Sequence, residues 1–194
     1  MKFSTDQKNI RSMLNFAAIK DNRYYLIGLH IVQDHRGTII EATDGHVCGR
    51  LLIENTPQEP AKVIIGTPEL KQILGTKAKA NHAIDFEIIE NKVTMSSAGL
   101  TITVNAIDAT FPDCGRVTPN PGYEIVAGHY DPELLIRFVK AEIDFGVRKT
   151  STFLRQNGEN AALVTMINIP EFVGIISPMR GNVIMSEVPE WISK

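Results

Sequence analysis

Residues 24–53 read YYLIGLHIVQDHRGTIIEATDGHVCGRLLI, and this stretch decides the fold class. Three apolar runs rich in β-branched residues lie within it, at 24–32, 38–43 and 47–53, and they have the composition of strands. The polar residues between the runs, DHRG and DG, are typical of tight turns. The stretch therefore predicts three consecutive antiparallel strands.

A helix and a further strand precede these three strands. Apolar residues spaced at i, i+3, i+4 and i+7 predict a helix over 7–20, which Thr5 or Asp6 would cap. Residues 2–4 are predicted to form a short strand before that helix. The first structural unit is thus a strand, a helix and three strands.

The same order of elements recurs twice along the chain. The second unit is predicted as a strand at 62–65, a short helix that Thr67 caps and that runs from Pro68 to about Leu74, and strands at 84–89, 93–96 and 100–106. The third unit follows the breaker PNPG, with a strand at 124–127, a helix at 132–141 capped by Asp131, and strands at 150–156, 161–167 and 172–177. The pattern indicates an α+β fold with antiparallel sheets. An α+β domain without a true repeat is the alternative.

The composition excludes several broad classes of protein. The 194 residues carry 20 Lys and Arg against 22 Asp and Glu, so the chain is not a polycation that coats nucleic acid or lipid. Two cysteines cannot form a disulfide framework, and no apolar run approaches the roughly 18 residues of a membrane span. We therefore expect a soluble, cytoplasmic protein that needs no cofactor.

Four short motifs stand at the borders of the predicted strands. They are Arg23-Tyr24-Tyr25-Leu26, Ala42-Thr43-Asp44-Gly45-His46, the run FPDCGRVTP at 111–119, and Pro178-Met179-Arg180. In order and position they resemble the bacterial sliding clamp family, the beta subunit of the replicative DNA polymerase. That family has R-Y-Y-L-x-G, A-T-D-G-H-R-L and F-P-D-Y-x-x-V-x-P in its middle domain, and its chain ends in M-P-M-R-L.

The resemblance assigns the three units to domains. Residues 1–119 correspond to a complete middle domain of two units, and 120–194 to the second half of the third domain followed by a C-terminal tail. The family builds a ring with helices inside and sheets outside, which encircles duplex DNA and tethers a polymerase without any chemistry. The resemblance therefore implies a DNA-clamp fold, a role as a replication processivity factor or modulator, and no enzymatic activity.

Partners of the family, DNA polymerase among them, insert short peptides into a pocket between the middle and third domains. These peptides carry a glutamine and hydrophobic anchors, which Met and Pro walls suit. Matched by motif, the pocket would be formed here by Leu26, Thr43, Gly45, His46, Pro119, Pro178, Met179 and Arg180. A decoy or adaptor that captures such peptides without encircling DNA is the alternative.

Three residues depart from the family pattern. Val47 stands where the family has Arg, Cys48 where it has Leu, and Ser177 where it has the first Met of M-P-M-R-L. Ordinary partner peptides are therefore expected to bind weakly or differently. The chain also holds three units where the family has six, so the family's ring closure is not expected. The unpaired third unit predicts a homo-oligomer in which half-domains complete one another.

Basic residues on or beside the predicted helices are candidates to face DNA. They are Lys8, Arg11, Lys20, Lys71, Lys77, Arg137 and Lys140. Phosphate contacts without base readout need such cations. Ordinary solvated helix faces are an equal alternative, because Glu69, Glu133 and Glu142 share these helices.

A catalytic site is the remote alternative, in the form of a small metal-dependent hydrolase that uses Asp44 and His46. His46 is also readily explained as a turn or packing residue. His30 and His35 add no recognised metal-ligand spacing, and no thiol-protease signature surrounds either cysteine. No phosphate-binding glycine loop is present. We therefore predict no active site and no metal site.

Overall fold

The computed structural model describes residues 1–54, 59–75, 81–149 and 151–180. Its first unit comprises β1 (Lys2–Asp6), α1 (Gln7–Leu14), a 3₁₀ turn (Tyr24–Leu26), β2 (Gly28–Asp34), β3 (Gly37–Thr43) and β4 (Val47–Glu54). The second comprises β5 (Ala61–Gly66), α2 (Thr67–Leu74), β6 (Ala83–Ile89), β7 (Lys92–Ser97) and β8 (Leu100–Asn105). After α3 (Cys114–Val117), the third contains α4 (Pro132–Asp144), β9 (Thr152–Arg155), β10 (Ala162–Met166) and β11 (Ile169–Ile176). The predicted α+β class with antiparallel sheets is confirmed.

Helix α1 is shorter than predicted, because it ends at Leu14 instead of continuing to residue 20. The Asn15 side chain donates hydrogen bonds to the carbonyls of Arg11 and Ser12 at 3.2 and 3.1 Å, and these bonds occupy the last turn. The chain then turns, and Phe16 is fully buried. The predicted strand at 24–32 also begins later, at Gly28, because Tyr24–Leu26 forms the 3₁₀ turn.

In the third unit and the segment that leads to it, one predicted strand is wrong and one helix was not predicted. Residues 124–127 form no strand, and their one strand-like contact is a parallel bridge from Val126 to Asn157. Helix α3 was not predicted, and Asp113 caps it by accepting a hydrogen bond from the Arg116 N–H. The predicted tail at 181–194 lies outside the described residues.

The first two units exchange their first strands. β1 pairs antiparallel with β6, and β5 pairs antiparallel with β2. Each unit's three strands are therefore extended by the strand that precedes the other unit's helix. This exchange and the contact between α1 and α2 bind the two units together.

The third unit joins the first through a continuous sheet. β4 and β11 pair antiparallel, from Leu51 opposite Phe172 to Val47 opposite Ile176. The order of strands is β5-β2-β3-β4-β11-β10-β9 in this seven-stranded sheet and β1-β6-β7-β8 in the other. Strands of the first and third units thus form one hydrogen-bonded surface.

The seven-stranded sheet is covered on both faces. On one face α1 packs against β2, β3 and β4, while α4 packs against β9 and β11. Over the other face a second apolar cluster joins Leu26, Phe111 and Cys114 to Cys48 and Ile175. Every residue of β3 is consequently buried. No helix in the described part of the chain has the length and apolar character to cross a membrane.

Two glycines face each other across the β4–β11 junction, and aromatic rings fill the space above them. Gly49 is opposite Gly174. A Cβ on Gly49 would overlap the Phe16 ring, and one on Gly174 would overlap the Phe138 ring. Phe16 lies 5.0 Å from Phe138 and 5.4 Å from Phe172 between ring centroids. The aromatic rings can therefore pack against the junction only because the two facing residues are glycines.

We predict that Gly174→Ala lowers the free energy of unfolding by about 1–3 kcal/mol, because the added methyl group overpacks the junction. Thermal and urea denaturation measure the effect. Gly122→Ala is the matched control, since its added Cβ would approach only Asn120 Oδ1, at 3.4 Å. Equal stability of the two variants would contradict the role assigned to the glycine pair.

Candidate functional site

The turn between β3 and β4 is fixed by its own side chains. Asp44 Oδ1 accepts hydrogen bonds from the backbone N–H groups of His46 and Val47 at 2.8 and 3.0 Å. Thr43 Oγ1 accepts from the Gly45 N–H at 3.0 Å and donates to the Val47 carbonyl at 2.6 Å. Gly45 has a φ of 97°, which favours glycine. The turn therefore holds the exposed His46 in a defined position.

Two arginines tie this turn to other parts of the chain. Arg137 of α4 places Nη1 2.8 Å from Asp44 Oδ2, with the two side chains 24% and 12% exposed. Arg23 donates to the Asp21 carboxylate at 2.8 Å and to the Asp44 carbonyl at 3.2 Å. Residues of the first two motifs and of the third unit's helix thus meet at one turn.

The Arg23 contact also changes the acidity of its partner. Hydrogen bonds from the Arg23 side chain and then from its backbone N–H lower the pKa of Asp21 from 3.8 to about 2. Asp34 has a matching arrangement at the end of β2, where the Arg36 side chain lowers its pKa to about 2. Both carboxylates therefore stay ionised well below neutral pH.

A groove forms where the end of β11 meets the turn. The Ser177 N–H donates to the His46 carbonyl at 2.8 Å, and the Met179 N–H donates to the His129 carbonyl at 2.8 Å. These bonds hold the chain after β11 between the turn and the approach to α4. The cavity has a volume of about 500 Å³ and is lined by Gly45, His46, Asp131, Leu134, Ser177, Pro178, Met179 and Arg180.

The structure brings together five of the eight residues predicted for a peptide pocket, and these are Gly45, His46, Pro178, Met179 and Arg180. The other three do not line the groove. Leu26 is fully buried in the second apolar cluster, Thr43 serves the turn, and Pro119 is partly buried after α3. The peptide-binding role of all eight stays a prediction.

Sequence reasoning missed Asp131 and Leu134 as groove residues. Asp131 caps α4 by accepting from the Glu133 N–H at 2.8 Å, and the sequence did predict that cap. Its place in the groove depends on the β4–β11 junction, which sets the start of α4 beside the turn. No local signal in the sequence indicates that arrangement.

The motif at 111–119 braces the sheet instead of lining the groove. Phe111 stacks on the buried His30, with ring centroids 4.7 Å apart. His30 Nδ1 lies 3.0 Å from one oxygen of the buried Glu41, and Arg50 Nε donates to the other at 2.8 Å. Arg50 also donates to Thr118 Oγ1 at 3.2 Å. This network of hydrogen-bonded polar side chains holds the chain after β8 against the sheet.

Asp44 and His46, the residues of the remote catalytic alternative, lie in one turn, and neither His30 nor His35 lies with them there. His30 is bound to Glu41, His35 lies in the turn before β3, and His46 lies in the turn after it. Within residues 1–54, 59–75, 81–149 and 151–180, no group of three or more His, Cys, Asp or Glu side chains could hold a metal ion. The neighbouring Cys114 thiol and burial raise the pKa of Cys48, which disfavours a thiolate nucleophile.

The predicted DNA-facing cations divide into two groups. Arg11 donates to Gln7 and to the Leu74 carbonyl at the end of α2, Arg137 pairs with Asp44, and Lys8 lies 3.6 Å from Asp6. The exposed members are Lys20, Lys71 and Lys140, and Lys77 lies outside the described residues. DNA contact by any of the seven stays a prediction.

Residues 3–113 match the family described as the DNA polymerase III beta subunit, central domain. The chain belongs to this family. The beta sliding clamp of Pseudomonas aeruginosa is 27% identical over an alignment of 136 residues, and this alignment covers 66% of this chain and 36% of that protein. The predicted family resemblance is thus confirmed, and the chain spans about a third of the length of this curated relative.

Solved structures of sliding clamps have the same fold as this chain. A ligand-bound clamp from Pseudomonas aeruginosa aligns with 93% of this chain and 66% of its own, at 17% identity and a TM-score of 0.70. The beta subunit from Thermotoga maritima gives the same coverage at 14% identity and a TM-score of 0.70. A Pseudomonas aeruginosa clamp bound to griselimycin aligns over 93% and 66% at 16% identity and a TM-score of 0.69. The predicted DNA-clamp fold is confirmed.

We predict that the Asp21 carboxyl titrates with a pKa of about 2 in NMR experiments, and that Arg23→Gln moves it toward 3.8. Because the folded-state pKa is lowered, the stabilisation by this pair is present above the unfolded value and disappears as the pH falls from about 4 to 2. Asp34 is the internal control, since Arg36 is unchanged in the variant. An unshifted Asp21 pKa in Arg23→Gln would contradict the assignment.

Proposed function

We propose that this sliding-clamp relative captures short peptides of replication proteins in the groove between the β3–β4 turn and the chain after β11. The observation that carries the proposal is the meeting of two distant motifs, ATDGH and PMR, on the walls of one cavity. Backbone hydrogen bonds at His46 and Met179 fix both walls, so the cavity is preformed.

The lining of the groove favours a peptide with apolar anchors and a polar side chain. Leu134, Pro178 and the half-exposed Met179 supply apolar surface. A methionine adapts its shape to different anchors. Asp131 and Arg180 supply opposite charges, which suit an amide side chain such as glutamine.

The departures from the family pattern support weak binding by the usual partner peptides. Val47 and Cys48 are 1% and 4% exposed and lie in the two apolar clusters, so neither reaches the groove. Ser177 lines the groove with a hydroxyl where the family has a thioether. The groove therefore offers less apolar surface than the resemblance alone implies.

A decoy or adaptor fits this chain better than a processivity factor. Arg11 and Arg137 make contacts within the protein, which reduces the charge available for duplex DNA. We propose that it modulates replication by occupying peptides that full-length clamps bind.

We predict that Met179→Ala weakens binding of a fluorescent peptide bearing a glutamine and two apolar anchors by at least about fivefold, because a central apolar wall is lost. Fluorescence anisotropy measures the affinity. Griselimycin, which a Pseudomonas aeruginosa clamp of this fold binds, is used as a competitor.

The control for this experiment is Ile167→Ala, which truncates a residue that is 77% exposed and lies outside the groove. It is expected to bind the peptide like the parent protein. Absence of binding by the parent protein, or equal weakening in both variants, would remove the peptide-binding proposal and leave the fold unaffected.

Weak, sequence-independent DNA contact is a second candidate function. Lys71 and Lys140 are exposed on α2 and α4, and Lys20 is exposed beyond the end of α1. Among the described residues, none of these three lysines forms an ion pair. Such lysines contact phosphates without reading bases.

We predict that Lys71→Gln reduces the slope of log affinity against log salt concentration by about 0.9, the contribution of one phosphate contact. Lys92→Gln, an exposed lysine on β7, serves as the control and should leave the slope unchanged. Titrations of a duplex at several salt concentrations provide the slopes. Identical slopes for both variants would exclude Lys71 from the DNA contact.

A further inference from the structure

The two cysteines of the chain lie against each other between β4 and α3. Cys48 is on β4 and Cys114 is the first residue of α3, and both are buried in the second apolar cluster. A hydrogen bond with the Cys114 thiol is the largest influence on the pKa of Cys48, ahead of burial, and both raise it. The two sulfur atoms are therefore immediate neighbours.

Polar contacts fix α3 in this position on β4. Because side chains alternate along a strand, Cys48 and Arg50 lie on the same face of β4. Arg50 Nη1 donates to Thr118 Oγ1 at 3.2 Å, and Thr118 Oγ1 donates to the Cys114 carbonyl at 2.7 Å. At the start of α3, the Asp113 side chain caps the helix. The backbone that carries Cys114 is thus held over Cys48 from both ends of α3.

Both cysteines depart from the family pattern. Leu ends the motif A-T-D-G-H-R-L where Cys48 stands, and Tyr follows F-P-D where Cys114 stands. Two departures that are distant in the chain therefore bring two thiols into one contact. A single buried cysteine packs as a small apolar residue, whereas two thiols in contact can also be joined by oxidation.

We propose that Cys48 and Cys114 form a reversible disulfide, which fastens α3 to β4 when a peroxide is available as the oxidant. Hydrogen peroxide transfers one oxygen atom to the Cys114 sulfur, which gives a sulfenic acid and one water. The Cys48 sulfur then attacks this sulfenic acid, the S–S bond forms, and the Cys48 proton leaves in a second water. Two thiols are oxidised and one peroxide is reduced to two waters. Cys48 has the second role because its raised pKa disfavours the first attack.

The first part of the test is chemical and uses the folded, full chain. The protein is incubated overnight with a small excess of hydrogen peroxide, since buried thiols react slowly, and is then unfolded and treated with N-ethylmaleimide. Proteolytic mapping is expected to give one linked pair of peptides that contains Cys48 and Cys114, with neither cysteine labelled. Dithiothreitol should restore both labels. Two labelled thiols, a sulfinic acid at either cysteine, or a disulfide between two chains overturns the proposal.

The second part tests whether the bond fastens the structure. A disulfide between β4 and α3 closes a long loop and restricts the unfolded chain. Circular dichroism melting of the peroxide-treated protein is expected to give a Tm at least about 5 °C higher without dithiothreitol than with it. Both samples carry the same oxidised methionines, so the difference reports the disulfide alone.

The matched control is Cys48→Ala, which keeps Cys114 and cannot form the bond. Its Tm after peroxide treatment is expected to be the same with and without dithiothreitol. If this variant does not fold, the comparison of the parent protein with and without dithiothreitol still decides. No difference in the parent protein, or an equal difference in Cys48→Ala, overturns the fastening role.

Discussion

The absence of side chains at Gly49 and Gly174 is the constraint on which the rest of the structure depends. These residues face each other where the first and third units share a sheet, and the rings of Phe16 and Phe138 occupy the space that a Cβ would need. Because these rings pack together, α1 and α4 lie on the same face of the seven-stranded sheet. Without this junction, no strand pairing would place the turn at His46 next to the chain after β11.

The motifs that identify the family divide into two physical roles. The motifs around Asp44 and Met179 build the walls of a groove. The motif that begins at Phe111 instead covers the second face of the sheet, where the buried Glu41 is satisfied by His30 and Arg50. A buried carboxylate is costly unless it is paired, so this network fixes the covering segment in place. Motif membership alone therefore does not make a residue part of the groove.

The sequence predicted the features that depend on neighbouring residues, and it did not predict those that depend on contacts between distant parts of the chain. Strands and turns followed from residues 24–53 because alternation and turn chemistry act over a few residues. The exchange of β1 and β5 and the β4–β11 pairing are choices between partners distant in the chain, which no local pattern encodes. The same distinction between local and long-range information applies to the candidate site. The resemblance supplied the groove's two walls, whereas Asp131 and Leu134 enter it only through the junction.

Two of the basic residues, Arg137 and Arg11, make contacts within the protein. Arg137 would be a phosphate contact if it faced outward, yet it pairs with Asp44 and thereby holds α4 against the turn that forms the groove. Arg11 likewise binds the last carbonyl of α2. A side chain that braces the protein in this way gives up its partner only at the cost of a partly buried charge. Both arginines are therefore used in contacts within the protein, and Arg137 is the one that supports the turn beside the groove.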